Sequence, residues 1–386
     1  VFLTPLKEIF PDCWQDAPYE RFINKHTWSL LGDNTSVDVS CDFPLEAKSA
    51  SIYRSKFDLW LVEKAKEAGA YFAPSTLVKH LIIKEGRVCG VETELEEIES
   101  DIVIIADGVN SLLAKESGLR KDYAAKDTFL SVKETRKLSK EIIEERFNIE
   151  KGTKNGAARN FIGGLRLEES PFAMGFMYTY YDAVSIGIGV NLDDLSRLGL
   201  NPSDLLERLK EHPVVKTLIA DSELLEYSAH LIPEGGYKKL PELYDNGVML
   251  AGDAAGFVNA IHFEGTNFAL MSGKYAAETA LAALKIKNFD KSTLKLYKRK
   301  LERSFILKDL KSYKNVIENL YSRTDSLMNY YPQKAAEFFK IFSGANCKPK
   351  REEFREFIFE FIKGRRLREL FEDFCAFVSS IFGVLK

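Results

Sequence analysis

The chain has 386 residues, 45% of them hydrophobic, and a formal net charge of -3, which supplies a substantial core and suggests two or three structural units. So balanced a charge excludes the global basic field that would by itself suggest nucleic acid as a partner. The five cysteines are an odd number, widely spread and without a C-x-x-C pair, which excludes a disulfide framework and a thiolate site for zinc or an iron-sulfur cluster, and argues for reduced thiols in a cytoplasmic setting.

The chain opens Val1-Phe2-Leu3, without a methionine and without the charged and apolar pattern of a signal peptide, so the expectation is that an upstream segment is missing. The first periodic stretch covers residues 54–68, with apolar positions at 57, 60, 61, 65 and 68 and Gly69 behind them. That spacing predicts an amphipathic helix stopped by a C-cap glycine. Residues 75–83 and 86–94 are β-compatible runs joined through Lys84-Glu85-Gly86, the pattern of a hairpin or meander. Residues 101–106 form an apolar run ending at Asp107-Gly108. Its lack of alternation predicts a strand covered on both faces, as in a parallel α/β sheet.

From Phe129 the character changes. Residues 172–180 and 183–190 are rich in aromatic, β-branched and glycine residues and are separated by Tyr181-Asp182, which predicts an antiparallel sheet inserted between two halves of the first domain. Residues 247–251 return to buried-strand character and end at Gly252-Asp253, and an alanine-rich helix is expected over residues 266–284. Helical patterning then continues to the end of the chain. Between Lys285 and Leu320 there are eleven Lys or Arg against four Asp or Glu, a basic amphipathic stretch that reads either as a solvated face or as a docking surface for an acidic protein or anionic lipid. The longest apolar run, residues 374–385, is too short to span a bilayer and contains Ser379 and Ser380.

Three motifs carry chemistry. Gly252-Asp253-Ala254-Ala255-Gly256, with Gly265-Thr266-Asn267 after it, puts a carboxylate at the carboxyl edge of a sheet and glycine at the mouth of a helix. Open α/β folds bind ligands at that edge, the carboxylate suits a polyol hydroxyl, and the helix start offers free N–H groups. A turn followed by a well-packed helix gives the same letters. Ala106-Asp107-Gly108 reads as a second strand-end site or as a common turn, and Arg54 as a fixed cation or a solvated cap. His262, beside Glu264 and Gly265, reads as a group near a bound ring or as a structural hydrogen bond. Phe176, Tyr178 and Tyr180 line an apolar pocket or simply pack the sheet. His26, His80, His212 and His230 show no metal spacing, and a Ser-His-Asp hydrolase is excluded by the missing G-x-S-x-G.

In their order, these motifs resemble the flavoprotein superfamily of para-hydroxybenzoate hydroxylase, the geranylgeranyl reductases and the Fix-type oxidoreductases. Ile232-Pro233-Glu234-Gly235-Gly236-Tyr237 and Gly252-Asp253-Ala254-Ala255-Gly256-Phe257-Val258-Asn259 are most similar to the Fix-type branch of the electron-transfer flavoprotein:quinone oxidoreductases. The resemblance implies FAD contacts at Arg54, Val78, Asp253, Gly265 and Thr266, with Asp107 and Gly108 bracing the site. It implies no catalytic side chain and no metal. It departs from the superfamily in lacking G-x-G-x-x-G; the nearest match, Gly187-Ile188-Gly189, falls inside an expected strand. The missing first β-α-β unit is expected to make FAD binding by this chain weak or absent.

The fold expected is therefore α/β (α+β): a Rossmann-like FAD domain, N-terminally incomplete, over residues 1–125 and 236–285, an antiparallel-sheet substrate domain over 126–235 and a helical region over 286–386. The function implied is electron transfer from an electron-transfer flavoprotein to a quinone or ferredoxin-like acceptor. The implied partners are electron-transfer flavoprotein subunits, a small ferredoxin-like protein and a quinone or other lipid. The expected location is cytoplasmic, with peripheral contact at the inner face of the cell membrane. The rivals are a geranylgeranyl-reductase-like enzyme saturating isoprenoid lipids and a non-catalytic interaction protein on an empty flavin fold.

Overall fold

The computed structural model describes residues 1–43 and 47–382. Of the apolar run at 374–385, residues 383–385 lie outside this description. The chain divides into two compact units, each made of three separate segments.

The first unit comprises Val1–Pro18, Ile52–Thr128 and Ile232–Lys314. The predicted first helix forms over Arg54–Glu67, and Gly69 follows at φ +92°, a conformation glycine adopts without steric cost. Of the expected apolar stripe only Phe57 is buried; it stacks on Trp60, whose other neighbour is Phe10, so the cover over this helix stops at its first turns. The hairpin pairs Val78–Lys84 with Arg87–Thr93. Its two turn residues, Glu85 and Gly86, both have positive φ, the geometry that matches the natural twist of a two-stranded ribbon.

At the centre of this unit Val248–Leu250 runs parallel to Val103–Ile105, with Leu250 opposite Ile105, and pairs on its other edge with Tyr244–Asp245. Val248, Met249 and Leu250 are at most 1% exposed, as the apolar run predicted. The companion strand differs from expectation. It is three residues long and Ile104 is 39% exposed. Among the described residues it has a neighbour on one edge only, whereas the middle strand is enclosed on both edges and by Phe268, Met271 and Leu301 of the core. The helix after the middle strand spans Thr266–Ile286, slightly longer than its sequence pattern suggests, and Lys287 ends it in the left-handed conformation.

The second unit comprises Tyr19–Ser51, Phe129–Leu231 and Asn315–Lys386. Its eight-stranded sheet contains the expected antiparallel hairpin, Ala173–Thr179 with Ala183–Asn191. It also contains Tyr19–Leu31, a stretch assigned by sequence to the flavin domain, which pairs in parallel with Asn155–Gly163. Alternating burial of Tyr19, Arg21 and Ile23 draws that strand into the sheet. One face of the sheet packs Phe161, Met177, Ile186 and Ile188 against Leu205, Leu209 and Val215 of the covering helices. Gly187 has a packing reason: a Cβ there would come within 2.3 Å of the Phe176 ring that crosses it, so these glycines serve the sheet. Arg21 is fully buried and donates to the carbonyls of Tyr180 at 2.7 Å, Asn155 at 2.8 Å and Tyr181 at 3.1 Å.

Of the expected helical region 286–386, the described residues up to 382 are mostly helical and are shared between the units. Lys291–Arg303 and Phe305–Ser312 belong to the first unit, while Tyr331–Ser343, Lys350–Gly364 and Leu367–Phe382 belong to the second. Among the described residues no helix is long and apolar enough to cross a membrane.

Candidate functional site

The two parallel strands of the first unit end side by side. Ala251 N–H donates to the Ile105 carbonyl at 2.9 Å, so Asp107-Gly108 and Gly252-Asp253 leave the sheet at adjacent positions. The carboxyl ends of adjacent parallel strands are where open α/β sheets hold ligands. Gly108 and Gly252 both have positive φ, +81° and +60°, which turns the chain sharply at each exit. Asp107 is exposed and Asp253 partly buried.

The helix Thr266–Ile286 is fastened to the second exit. Gly252 N–H donates to Ser272 Oγ at 3.0 Å, and a Cβ at Gly252 would stand 3.2 Å from that of Ala269. Tyr297 supports the same strand end from the next helix, donating its hydroxyl to the Leu250 carbonyl at 2.7 Å. Gly265 caps the helix start, where no side chain caps the first N–H groups. Its φ of -138° is open to any residue, and a Cβ there would make only an ordinary 3.7 Å contact with Val258. Nothing in the packing demands glycine at that position.

Sequence reasoning missed the residue that ties the two exits together. Arg120 is 7% exposed and donates to the Ala254 carbonyl at 3.1 Å and to the Val109 carbonyl. Its guanidinium lies 4.7 Å from the ring centre of Tyr123. Burial raises the Tyr123 pKa, Arg120 opposes the rise, and Asp253 and Asp127 add to it, so the phenol stays protonated at neutral pH. In the sequence Arg120 stands next to Lys121 in a polar stretch, and no local pattern marks it as buried. Buried polar atoms without a hydrogen-bond partner gather around these elements: Arg120 Nε, Tyr123 Oη, Asn259 Nδ2 and Asn267 Oδ1. Unsatisfied groups in a native interior call for a partner, and a polar cofactor with ring and polyol groups fits this set.

The other expected residues are placed as follows. Thr266 is exposed in the first turn of the long helix. Arg54 closes within its own helix on Asp58, with Nε at 2.8 Å and Nη2 at 3.1 Å. Val78 opens the hairpin opposite Thr93. Neither of these two hydrogen-bonds to the paired strand exits. His262 is exposed and meets Tyr313 edge-on at 4.8 Å, in a loop held by the Asn259–Glu264 bridge. Burial raises the pKa of Glu264, with repulsion from Asp309 next and a hydrogen bond from Asn267 opposing both. Phe176 stacks on Tyr178 along one strand of the second unit, and Tyr178 meets Tyr180, just past the strand's end, edge-on. His212 Nε2 is hydrogen-bonded to the Gly32 carbonyl at 2.8 Å, and His80 pairs with Glu116, so both serve structure. Among the described residues no group of three His, Cys, Asp or Glu side chains is placed to hold a metal.

This mixed α/β fold, with its helical C-terminal region, is that of FAD-dependent oxidoreductases. It matches the crystal structure of a geranylgeranyl bacteriochlorophyll reductase-like protein from Thermoplasma acidophilum at TM-score 0.70 and 18% identity, over 94% of this chain and 87% of that one. It also matches the chondrochloren halogenase CndH, a variant of FAD-dependent halogenases, at TM-score 0.63 and 14% identity, over 89% and 80%. The chain belongs to the FixC family of electron transfer flavoprotein-quinone oxidoreductase-like proteins. It is 37% identical over 376 residues to Protein FixC of Bradyrhizobium diazoefficiens, covering 95% of this chain and 85% of that protein. It is 34% identical over 361 residues to the probable electron transfer flavoprotein-quinone oxidoreductase YdiS of Escherichia coli, covering 91% and 82%. No family model matches the chain.

Proposed function

We propose that this protein binds FAD and passes electrons from an electron-transfer flavoprotein to a quinone or ferredoxin-like acceptor. The observation that supports the reading is the adjacency of the Asp107 and Asp253 strand exits, bridged by Arg120 and backed by an uncapped helix start. Asp253 would accept from polyol hydroxyls of the cofactor, with Asp107 and Gly108 bracing the turn. Gly265 and Thr266 would offer the positive end of the helix to an electron-rich ring edge. Arg54 would serve a phosphate and Val78 an apolar ring face. The flavin supplies reversible hydride and electron chemistry, so no side-chain acid or base is needed.

The protein's own work is to orient the ring and to keep the neighbouring polar atoms satisfied. Contact with a membrane face through the basic stretch after Lys285 belongs to the same proposal. The test uses the gene product with any upstream coding sequence included. Flavin absorbance, its bleaching by reduced electron-transfer flavoprotein, and coupled quinone reduction support the reading. Saturation of isoprenoid double bonds without quinone reduction would replace it with the reductase rival. A protein that never takes up flavin would leave an interaction scaffold.

A further inference from the structure

We propose that the second unit carries a binding site for one phosphate-type oxyanion, free or as the phosphoryl group of a small molecule, on the helix-covered face of its sheet. The proposal does not rest on the flavin reading. A cavity of about 190 Å³ lies where that cover ends. Its sheet wall includes Lys25, Thr27, Ser40 and Arg159. Thr27 stands opposite Ser40 on one side and Arg159 on the other, and Lys25 is two positions away on the same strand, so all four side chains share one face. Phe161, two positions beyond Arg159, packs the core under the covering helices on that face. The polar part of the face therefore begins where the helices stop. The remaining wall comes from their ends: Arg146 and Asn148 at the close of Lys140–Arg146, and Leu218 from Pro213–Ile219.

The arrangement of charge selects an anion. Among the described residues lining the cavity, three are cations, Lys25, Arg146 and Arg159, and none is a carboxylate. Each cation has an acidic neighbour, but the cations lie inward and the carboxylates outward. The side chains of Lys25, Arg159 and Arg146 are 14–22% exposed, against 33–86% for Asp42, Asp38 and Asp221. A carboxylate in water is screened, so it offsets little of the positive potential inside a desolvated space.

Donors are also left over. Lys25 Nζ stands 3.8 Å from Asp42, beyond hydrogen-bond length. Arg159 uses Nε on Ser29 Oγ at 2.8 Å and Nη2 on Asp38, which leaves Nη1 for an entering group. Thr27 Oγ1 and Ser40 Oγ share one hydrogen bond at 2.8 Å, so one hydroxyl proton remains to be donated. Arg146 donates to the Ala220 and Leu218 carbonyls at 2.5 and 3.4 Å and supplies fixed charge. An ammonium, a guanidinium edge and a hydroxyl from three strands match the several acceptor oxygens of a tetrahedral oxyanion. The cavity is smaller than the roughly 300 Å³ at which pockets for drug-sized molecules begin, so it takes the anionic group and little else. Ser40 and Asn148, both exposed, form its mouth.

The test is calorimetric titration of the purified chain with sodium phosphate, phenyl phosphate and sodium acetate, at constant ionic strength set with chloride. Saturable binding of one phosphate per chain is expected, weakening as the ionic strength is raised. Phenyl phosphate bound as tightly as phosphate assigns the site to the phosphoryl group of a larger molecule, and its exclusion assigns the site to the free ion. Lys25→Gln is expected to weaken phosphate binding about tenfold or more, whereas Lys84→Gln, at an exposed lysine of the first unit, leaves it unchanged. Should Lys25→Gln misfold, the unmodified chain is acetylated with and without phosphate and mapped by peptide mass spectrometry, and protection of Lys25 above the other lysines is expected. Absence of saturable binding, acetate bound more tightly than phosphate, undiminished binding by folded Lys25→Gln, or equal protection of all lysines would overturn the site.

Discussion

The hydroxyl of Tyr123 occupies the space that a side chain at position 256 would need: a Cβ on Gly256 would lie 2.3 Å from Tyr123 Oη, and the Gly256 backbone has φ +71°. Gly256→Ala is expected to destabilise the protein by about 1–3 kcal/mol through overpacking and left-handed strain. Tyr123→Phe on the same background removes the clashing oxygen and is expected to restore part of the loss, with the backbone strain remaining. Thermal melts of the two single variants and the double variant check this. Simple additivity would show that the contact does not limit position 256.

Arg120 holds two carbonyls that otherwise face a buried interior. Arg120→Met leaves both without a donor, at a cost of about 1–3 kcal/mol each. Arg120→Lys is expected to recover little, because one ammonium cannot reproduce the planar fork. Urea unfolding midpoints of the three proteins compare these outcomes, and a fully stable Arg120→Met would contradict them.

Asp253 is the proposed acceptor for the cofactor. Asp253→Ala removes a charge-assisted hydrogen bond of about 1.5–3 kcal/mol, which corresponds to roughly ten- to a hundredfold weaker flavin binding. Fluorescence quenching of added FAD by the flavin-competent protein measures the change, with Asp182→Ala in the exposed hairpin turn of the second unit as a control for charge alone. Equal loss in both variants would remove Asp253 from the site.

Glu234 lies in the Pro233-Glu234-Gly235-Gly236 segment, and burial pushes its carboxyl up to about 8. A carboxyl whose folded pKa is raised is favoured in its neutral form. Its contribution to stability is complete below the unfolded value near 4.5 and is lost as pH rises through about 8. Glu234→Gln, neutral at every pH, is expected to become progressively more stable than the parent between those limits. Melting temperatures of both proteins at intervals across that range supply the comparison, and parallel curves would place Glu234 in water.

Much of the first unit was legible because its signals are local. Gly69 ends a helix, Glu85-Gly86 makes a tight turn, and Val248-Met249-Leu250 is a buried strand. The exposure of Ile104 was not legible, since an apolar run says what can be covered and not which neighbours do the covering. The strand at Tyr19–Leu31 escaped notice because its partner, Asn155–Gly163, is remote in sequence. Of the expected flavin contacts, Asp107, Gly108 and Asp253 leave the sheet at adjacent strand ends, and Gly265 and Thr266 open the helix fastened beside them. Arg54 and Val78 sit on other elements, and their roles rest on the resemblance. Arg120 was invisible because a buried arginine that binds carbonyl oxygens looks, as a letter, like a solvated one.

The parallel pairing in the second unit also sets a timetable for synthesis. Ser29 and Arg159, which meet through a hydrogen bond, are 130 positions apart. At about 5–20 residues per second on the ribosome, the earlier strand emerges on the order of ten seconds before its neighbour exists. Throughout that interval Ser36–Asp42 can already pair one edge of the strand, while the edge that Asn155–Gly163 will cover stays open, so the nascent chain carries an unpaired strand edge of the kind that invites association with other chains.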